Sequence, residues 1–204
     1  YYSGIYATKT DDGNQLNWKL VGHLPEPLAY GVTVTCDNSM IVVGGMNNDG
    51  SYGKVYRVTL VDGKAEVSTL PSMPCSVDNM AGALVGKHLY IAGGAMDGKA
   101  SNRVLRLDLD NISAGWKDIK SFPGMVRVQP VAGCMGDNRF CLFGGFAPAA
   151  NGEEAKLSMD GCVYDETTDE WELVEGPKDD QGEPLFVGGG TDINLTKDQL
   201  LVMG

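Results

Sequence analysis

Three short apolar runs in this chain each end in a glycine doublet: IVVGG at Gly44-Gly45, YIAGG at Gly93-Gly94 and CLFGG at Gly144-Gly145. The doublets recur about fifty residues apart, and self-similarity at such a period marks a solenoid, a propeller or an array. A fourth run, LLVMG, ends at Gly204, one residue short of a doublet. Apolar runs of this length, bounded by turn residues, are strands rather than helices. A repeat this long holds four of them, which is one propeller blade. The expectation is an all-β chain forming one partial β-propeller domain over residues 1–204. It divides into a half-blade at 1–24, three blades at about 25–74, 75–124 and 125–178, and a half-blade at 179–204.

The strands follow from the doublets. First strands are expected at 29–36, 79–85 and 127–136, second strands at 39–45, 88–94 and 139–145. Third strands fall at 54–61, 102–109 and 159–166, and fourth strands at 64–71, 115–123 and 170–177. KVYRVTLV and RVLRLDL show the alternation of half-buried strands. Asp37-Asn38, Gly86-Lys87 and Asp137-Asn138 stand at matching places and suit tight hairpins, because they tolerate positive φ. Trp18, Trp116 and Trp171 each open a fourth strand, where a large flat ring wedges between blades; the first full blade lacks one and carries Val67 nearby. No helix pattern or GK[ST] follows the doublets, so they are backbone turns packed on the next blade and not phosphate loops. Residues 1–24 supply only third and fourth strands, and 185–204 only first and second. These halves either pair to close a four-bladed ring or belong to a longer propeller, and the interrupted last motif favours the longer one.

Composition narrows the partners. The net charge is −11 with 16 lysines and arginines, all scattered. A nucleic-acid binder needs a cationic stripe, so that class is excluded. An anionic small molecule is still admissible, since one buried arginine outweighs distant charge at short range. No apolar span is long enough for a membrane helix, and no signal peptide is visible. The five cysteines are unsuited to a zinc knuckle or a full disulfide framework. Cys134 and Cys141 are expected to face each other across the Asp137-Asn138 hairpin, either bonded or serving as small apolar fillers.

The segment PLAYGVTVTCDNSMIVVGGMNNDGSYGKVYRVTLVDGKAEV resembles the last blade of the bacterial kelch-type N-acetylneuraminate epimerases, the sialic acid mutarotases. The later GWKDIKSFPGMVRVQPVAGCMGDNRFCLFGG resembles the beginning of that same family. End precedes beginning, as in the cyclically permuted mutarotase-like proteins. The resemblance implies a kelch-type propeller of six blades, of which this chain carries a part. It also implies a sugar isomerase with no cofactor and no metal. The partner is a small-molecule sugar, an anionic sialic acid, and the location is the periplasm or outside of a bacterium, with the cytoplasm as the alternative. The family's acid/base glutamate has no counterpart here, so the catalytic residue is unassigned. Val128 stands where an acidic residue is common between arginine and glutamine.

Anomer interconversion opens and recloses a sugar ring, which needs one proton given and one taken. Candidate sugar ligands are Arg127, Gln129, Tyr30 and Asn79, at the heads of first strands where a propeller has its channel mouth. Arg127 either anchors a carboxylate through a bidentate pair or is a solvated rim charge. Tyr30 either donates to a sugar hydroxyl or packs beside Pro27. Gln129 and Asn79 can donate and accept toward hydroxyls, or cap backbone. Gly188-Gly189-Gly190 marks close backbone approach at the channel or room for ligand. His23 and His88 are too few and too far apart for a copper oxidase site. Asp179, Asp180 and Glu183 form either a solvated loop or an overhang of the mouth. Two functions compete: the isomerase, and a non-catalytic propeller that binds a protein or glycan.

Overall fold

The computed structural model describes residues 1–10, 16–150, 152–196 and 199–204. Its strands are β1 (Gly4–Ala7), β2 (Lys19–His23), β3 (Val32–Cys36), β4 (Ser39–Val43), β5 (Val55–Val61), β6 (Lys64–Leu70), β7 (Ala81–Val85), β8 (His88–Ala92), β9 (Val104–Asp108), β10 (Lys117–Ile119), β11 (Val131–Met135), β12 (Arg139–Phe143), β13 (Asp160–Asp165), β14 (Glu170–Glu175), β15 (Thr191–Thr196) and β16 (Gln199–Met203). They make three four-stranded antiparallel meanders, β3-β4-β5-β6, β7-β8-β9-β10 and β11-β12-β13-β14, with two-stranded sheets β1-β2 and β15-β16 at either side. Further two-residue ladders link the connecting loops. The chain is a kelch-type β-propeller.

Burial follows the position of each strand in its sheet. The first strands β3 and β7 alternate between buried and more open residues. The second strands β4, β8 and β12 are covered on both faces by the neighbouring sheets and read as continuous apolar runs. One core, built on Ile41, Val43, Leu89 and Leu105, fills the space between the first two full blades. A second, built on Tyr90, Phe122, Phe140 and Leu142, fills the next.

The glycine doublets are the joints between blades. Gly44, Gly93 and Gly144 have φ of 57°, 64° and 59°, and their partners Gly45, Gly94 and Gly145 have φ of 95°, 79° and 78°. The amides of Gly45, Gly94 and Gly145 donate to the carbonyls of Val77, Arg127 and Val187 in the following blade, at 2.8, 2.9 and 2.8 Å. A Cβ on Gly44 would lie 2.7 Å from the Val77 carbonyl oxygen, and one on Gly93 2.8 Å from that of Arg127. Only glycine combines left-handed backbone with so close an approach.

Two of the three tryptophans wedge between blades. Trp116 Nε1 donates to the Pro71 carbonyl and Trp171 Nε1 to the Lys120 carbonyl, each at 2.8 Å and each in the preceding blade. Trp18 differs from the expectation, being 62% exposed. Of the two readings of Cys134 and Cys141 the unbonded one holds, since all five cysteines are free, but their expected pairing across the hairpin is corrected. The first two hairpins turn on Asp37-Asn38 and Gly86-Lys87, but Met135 pairs with Arg139, so the third turns on three residues, Gly136-Asp137-Asn138. Cys134 is therefore opposite Phe140, and Cys141 opposite Gly133. A one-residue slip in register moves a side chain to the other face.

Candidate functional site

The first strands β3, β7, β11 and β15 lie side by side in chain order, and a ring of four residues stands at their heads. Tyr30, Asn79, Gln129 and Gly189 all have left-handed backbone, with φ of 59°, 52°, 51° and 64°. The Asn79 amide donates to the Tyr30 carbonyl at 2.9 Å, that of Gln129 to Asn79 at 2.7 Å, and that of Gly189 to Gln129 at 2.8 Å. Each non-glycine residue in this region costs on the order of 1 kcal/mol, and such outliers cluster where ligands bind. The inter-blade hydrogen bonds hold them there.

The ring joins the backbones of three of the four sequence-chosen residues and brings the side chains of two of them, Asn79 and Gln129, into contact. Gln129 Nε2 donates to Asn79 Oδ1 at 2.9 Å, and Asn79 Nδ2 donates to Asp78 Oδ1 at 2.6 Å. Asp78 is buried and also accepts from Ser51 Oγ. It occupies, one blade earlier, the place that Val128 fills before Gln129. The acidic group that the third blade lacks is thus present behind Asn79. Tyr30 completes the arc and is 56% exposed.

Directly behind the ring is a cavity of about 270 Å³, whose wall includes Thr33, Gly82, Ala132, Thr191 and Asp192. Asp192 supplies its one carboxyl group. A Cβ on Gly133 would stand 2.7 Å from Asp192 Oδ2, so the glycine makes room for the acid. Burial raises the carboxyl above the ordinary aspartate value. Asp192 was not among the residues chosen from the sequence. The signal was present as the charged residue in TDINL, three positions past the glycine that matches Gln129, where the other blades carry Thr33, Gly82 and Ala132.

Arg127 is not part of the ring or of that cavity wall. Its side chain is wholly buried, so it is not a solvated rim charge. Nη1 donates to the Gly144 carbonyl at 3.1 Å and pairs with Asp160 Oδ1 at 3.1 Å, and the guanidinium lies 5.2 Å from the centre of the Phe122 ring. Nε and Nη2 have no partner among the described residues. Gly124, with φ of 87°, covers this group; a Cβ there would sit 3.5 Å from Nη2 and 4.0 Å from Asp160 Oδ2. Val77 and Val187 fill the positions equivalent to Arg127, so the joint itself does not require an arginine.

The remaining polar residues lie elsewhere. His23 Nδ1 is 3.1 Å from Ser3 Oγ, and His88 Nδ1 is 2.7 Å from Glu166 in the adjacent blade. The Asp179 carboxylate accepts from the amides of Gln181 and Glu183 at 2.9 and 2.8 Å, capping its own loop. Among the described residues no helix is long and apolar enough to cross a membrane, and no three acidic, cysteine or histidine side chains form a metal-holding group.

A propeller whose first strands frame a polar channel mouth is the class of protein these features define. Residues 70–204 match the family described as NANM, N-acetylneuraminate epimerase, and the chain belongs to that family. Among curated proteins, an N-acetylneuraminate epimerase of Haemophilus influenzae is 29% identical over 140 residues, 64% of this chain and 36% of that protein. A kelch domain-containing protein of Vibrio cholerae is 31% identical over 106 residues, 52% of this chain and 28% of the other. The chain therefore spans about a third of the length of these relatives. Among solved structures, YjhT superposes with a TM-score of 0.71 at 14% identity, over 93% of this chain and 63% of the other.

Proposed function

We propose that this propeller serves a sugar isomerase that interconverts the anomers of N-acetylneuraminate or a related sugar. One observation carries the reading. In a chain of the N-acetylneuraminate epimerase family, Tyr30, Asn79 and Gln129 are held in left-handed backbone around the mouth of a polar channel. Amide and phenol groups suit sugar hydroxyls, because each can both donate and accept.

An anionic sugar also needs a cation. Arg127 fits that role through the two nitrogens that have no partner among the described residues, since buried polar groups are normally satisfied. Both nitrogens are without exposed surface beneath Gly124, so a carboxylate would reach Nη2 only after that residue moves aside, and it would then compete with Asp160 for the guanidinium. A bidentate arginine–carboxylate pair is the strong form of this contact.

The test is the rate of anomer interconversion of N-acetylneuraminate, followed by exchange NMR with the intact protein. Acceleration over buffer supports the isomerase. Binding without acceleration favours a non-catalytic glycan-binding propeller. The absence of both refutes this sugar as ligand.

A further inference from the structure

The channel holds a carboxyl group to which the family resemblance assigns no task. Asp192 lies on β15 and reaches the cavity wall behind the Tyr30–Asn79–Gln129–Gly189 ring. Its Oδ2 projects over Gly133 on the neighbouring first strand, 2.7 Å from where an alanine Cβ would stand, so the carboxyl would have to shift to admit one. No side chain among the described residues hydrogen-bonds to it. Among the described residues, the titratable groups that feel its charge from the packed elements are two thiols, Cys134 on β11 and Cys141 on β12. Burial raises both thiols, so they are neutral near pH 7 and provide no counter-charge.

We propose that Asp192 is a catalytic residue of the channel, the base that takes the proton from the anomeric hydroxyl of a sugar held at the mouth. This rests on the isomerase reading above. The O–H electron pair becomes the second bond of the new carbonyl as the C–O bond of the ring breaks. The pair from that C–O bond goes to the ring oxygen, which takes a proton from a channel water and leaves hydroxide. After rotation about the adjacent C–C bond the transfers reverse on the other face of the carbonyl. Asp192 and the water regain their starting states, and no oxidant or reductant is consumed.

The geometry suits the task. General acid–base groups contribute when they lie within hydrogen-bond reach of the proton and are neither fully charged nor fully neutral at working pH. Among the described residues no ion pair involves Asp192, which is half enclosed and borders the cavity. Burial moves it toward the working range, as expected for a functional carboxyl.

The experiment compares the intact wild-type protein with D192N and D192E by exchange NMR on N-acetylneuraminate, with binding and melting measured in parallel. D192N is expected to lower the exchange rate by about 100-fold or more, with sugar affinity changed less than twofold. D192E is expected to recover part of the rate. In the wild type the rate should fall on acidification with a midpoint above the ordinary aspartate range, and D192N should lose that limb. An unchanged rate in D192N, beside an active wild type, overturns the role of Asp192 and leaves the isomerase standing. A wild-type rate that stays flat down to the ordinary carboxylate range overturns it too, even if D192N does not fold. An inactive wild type removes the isomerase reading and the proposal together.

Discussion

Asn79 and Gln129 occupy equivalent positions in adjacent blades and are joined twice. The Gln129 amide donates to the Asn79 carbonyl at 2.7 Å, and Gln129 Nε2 donates to Asn79 Oδ1 at 2.9 Å. Main chain and side chain thus fix the same spacing, and two adjustable sugar-binding groups become one rigid edge.

That edge predicts an unusual order of variants. Gln129→Gly and Gln129→Ala both remove the side chain, but only alanine keeps the left-handed strain at φ 51°. The glycine variant should be the more stable by about 1 kcal/mol in urea unfolding. Both should weaken sugar binding about fivefold or more, since one lost hydrogen bond is worth about 1 kcal/mol. An alanine variant as stable as the glycine one would contradict the strained backbone.

At the joints, Gly44→Ala should be costly. The added Cβ meets the Val77 carbonyl at 2.7 Å in backbone at φ 57°, and a loss of roughly 2–4 kcal/mol is expected. Gly63→Ala provides the control, because φ is 76° there but nothing lies within 4 Å. Its cost should be confined to about 1 kcal/mol of backbone strain. Equal losses at the two sites would remove the steric argument.

The tryptophans separate in the same manner. Trp171→Phe loses the hydrogen bond to Lys120 and alters contacts with Phe122, Phe140 and Tyr164, which should destabilise by about 1–2 kcal/mol. Trp18→Phe should shift Tm little, because that ring is mostly exposed. Thermal melts of the pair decide it.

Stability should decline in alkali. Burial pushes the thiols of Cys141 and Cys162 up from 9.0 to about 12. Between those values the folded chain retains protons that the unfolded chain has released, so the stabilisation is complete below pH 9 and is lost as pH rises toward 12. Both thiols should also resist alkylation at pH 8 until the protein is unfolded. Rapid native labelling of Cys141 would show the third blade to be loose.

Arg127→Met tests the buried cation. Replacing a charge with two unpartnered nitrogens by an apolar chain of similar length should leave stability within about 1–2 kcal/mol of wild type, as Asp160 is half exposed and can be solvated. Affinity for an anionic sugar should fall by tenfold or more, while a neutral sugar analogue should be unaffected. Equal loss for both sugars would argue against a carboxylate contact.

The blade order was legible because it rests on chemistry confined to a few adjacent residues. Each doublet needs two glycines at fixed positions, and each strand advertises its period. The mouth was legible in part. Tyr30, Asn79 and Gln129 could be located by counting back from the doublets, but their left-handed φ values depend on hydrogen bonds made to the neighbouring blade. Arg127 was placed at the strand head by the same counting; its enclosure by Phe122, Gly124 and Asp160 depends on loops that carry no periodic signal. The Cys134 register failed over one residue, since Gly136 lengthens a turn that resembles its two-residue counterparts. Asp192 was passed over because its significance is relational: it becomes notable only against Thr33, Gly82 and Ala132 at matching positions.

The doublet joints have a consequence for the width of the mouth. Each joint contributes to the angle between two neighbouring blades through one amide and one carbonyl, and the aperture is the accumulated result of those angles. A small change at a distant joint would therefore be felt as a change in calibre at the ring, much as a misfitted stave alters the bore of a cask. Selectivity for a sugar of a given size can then be tuned from positions that never touch it.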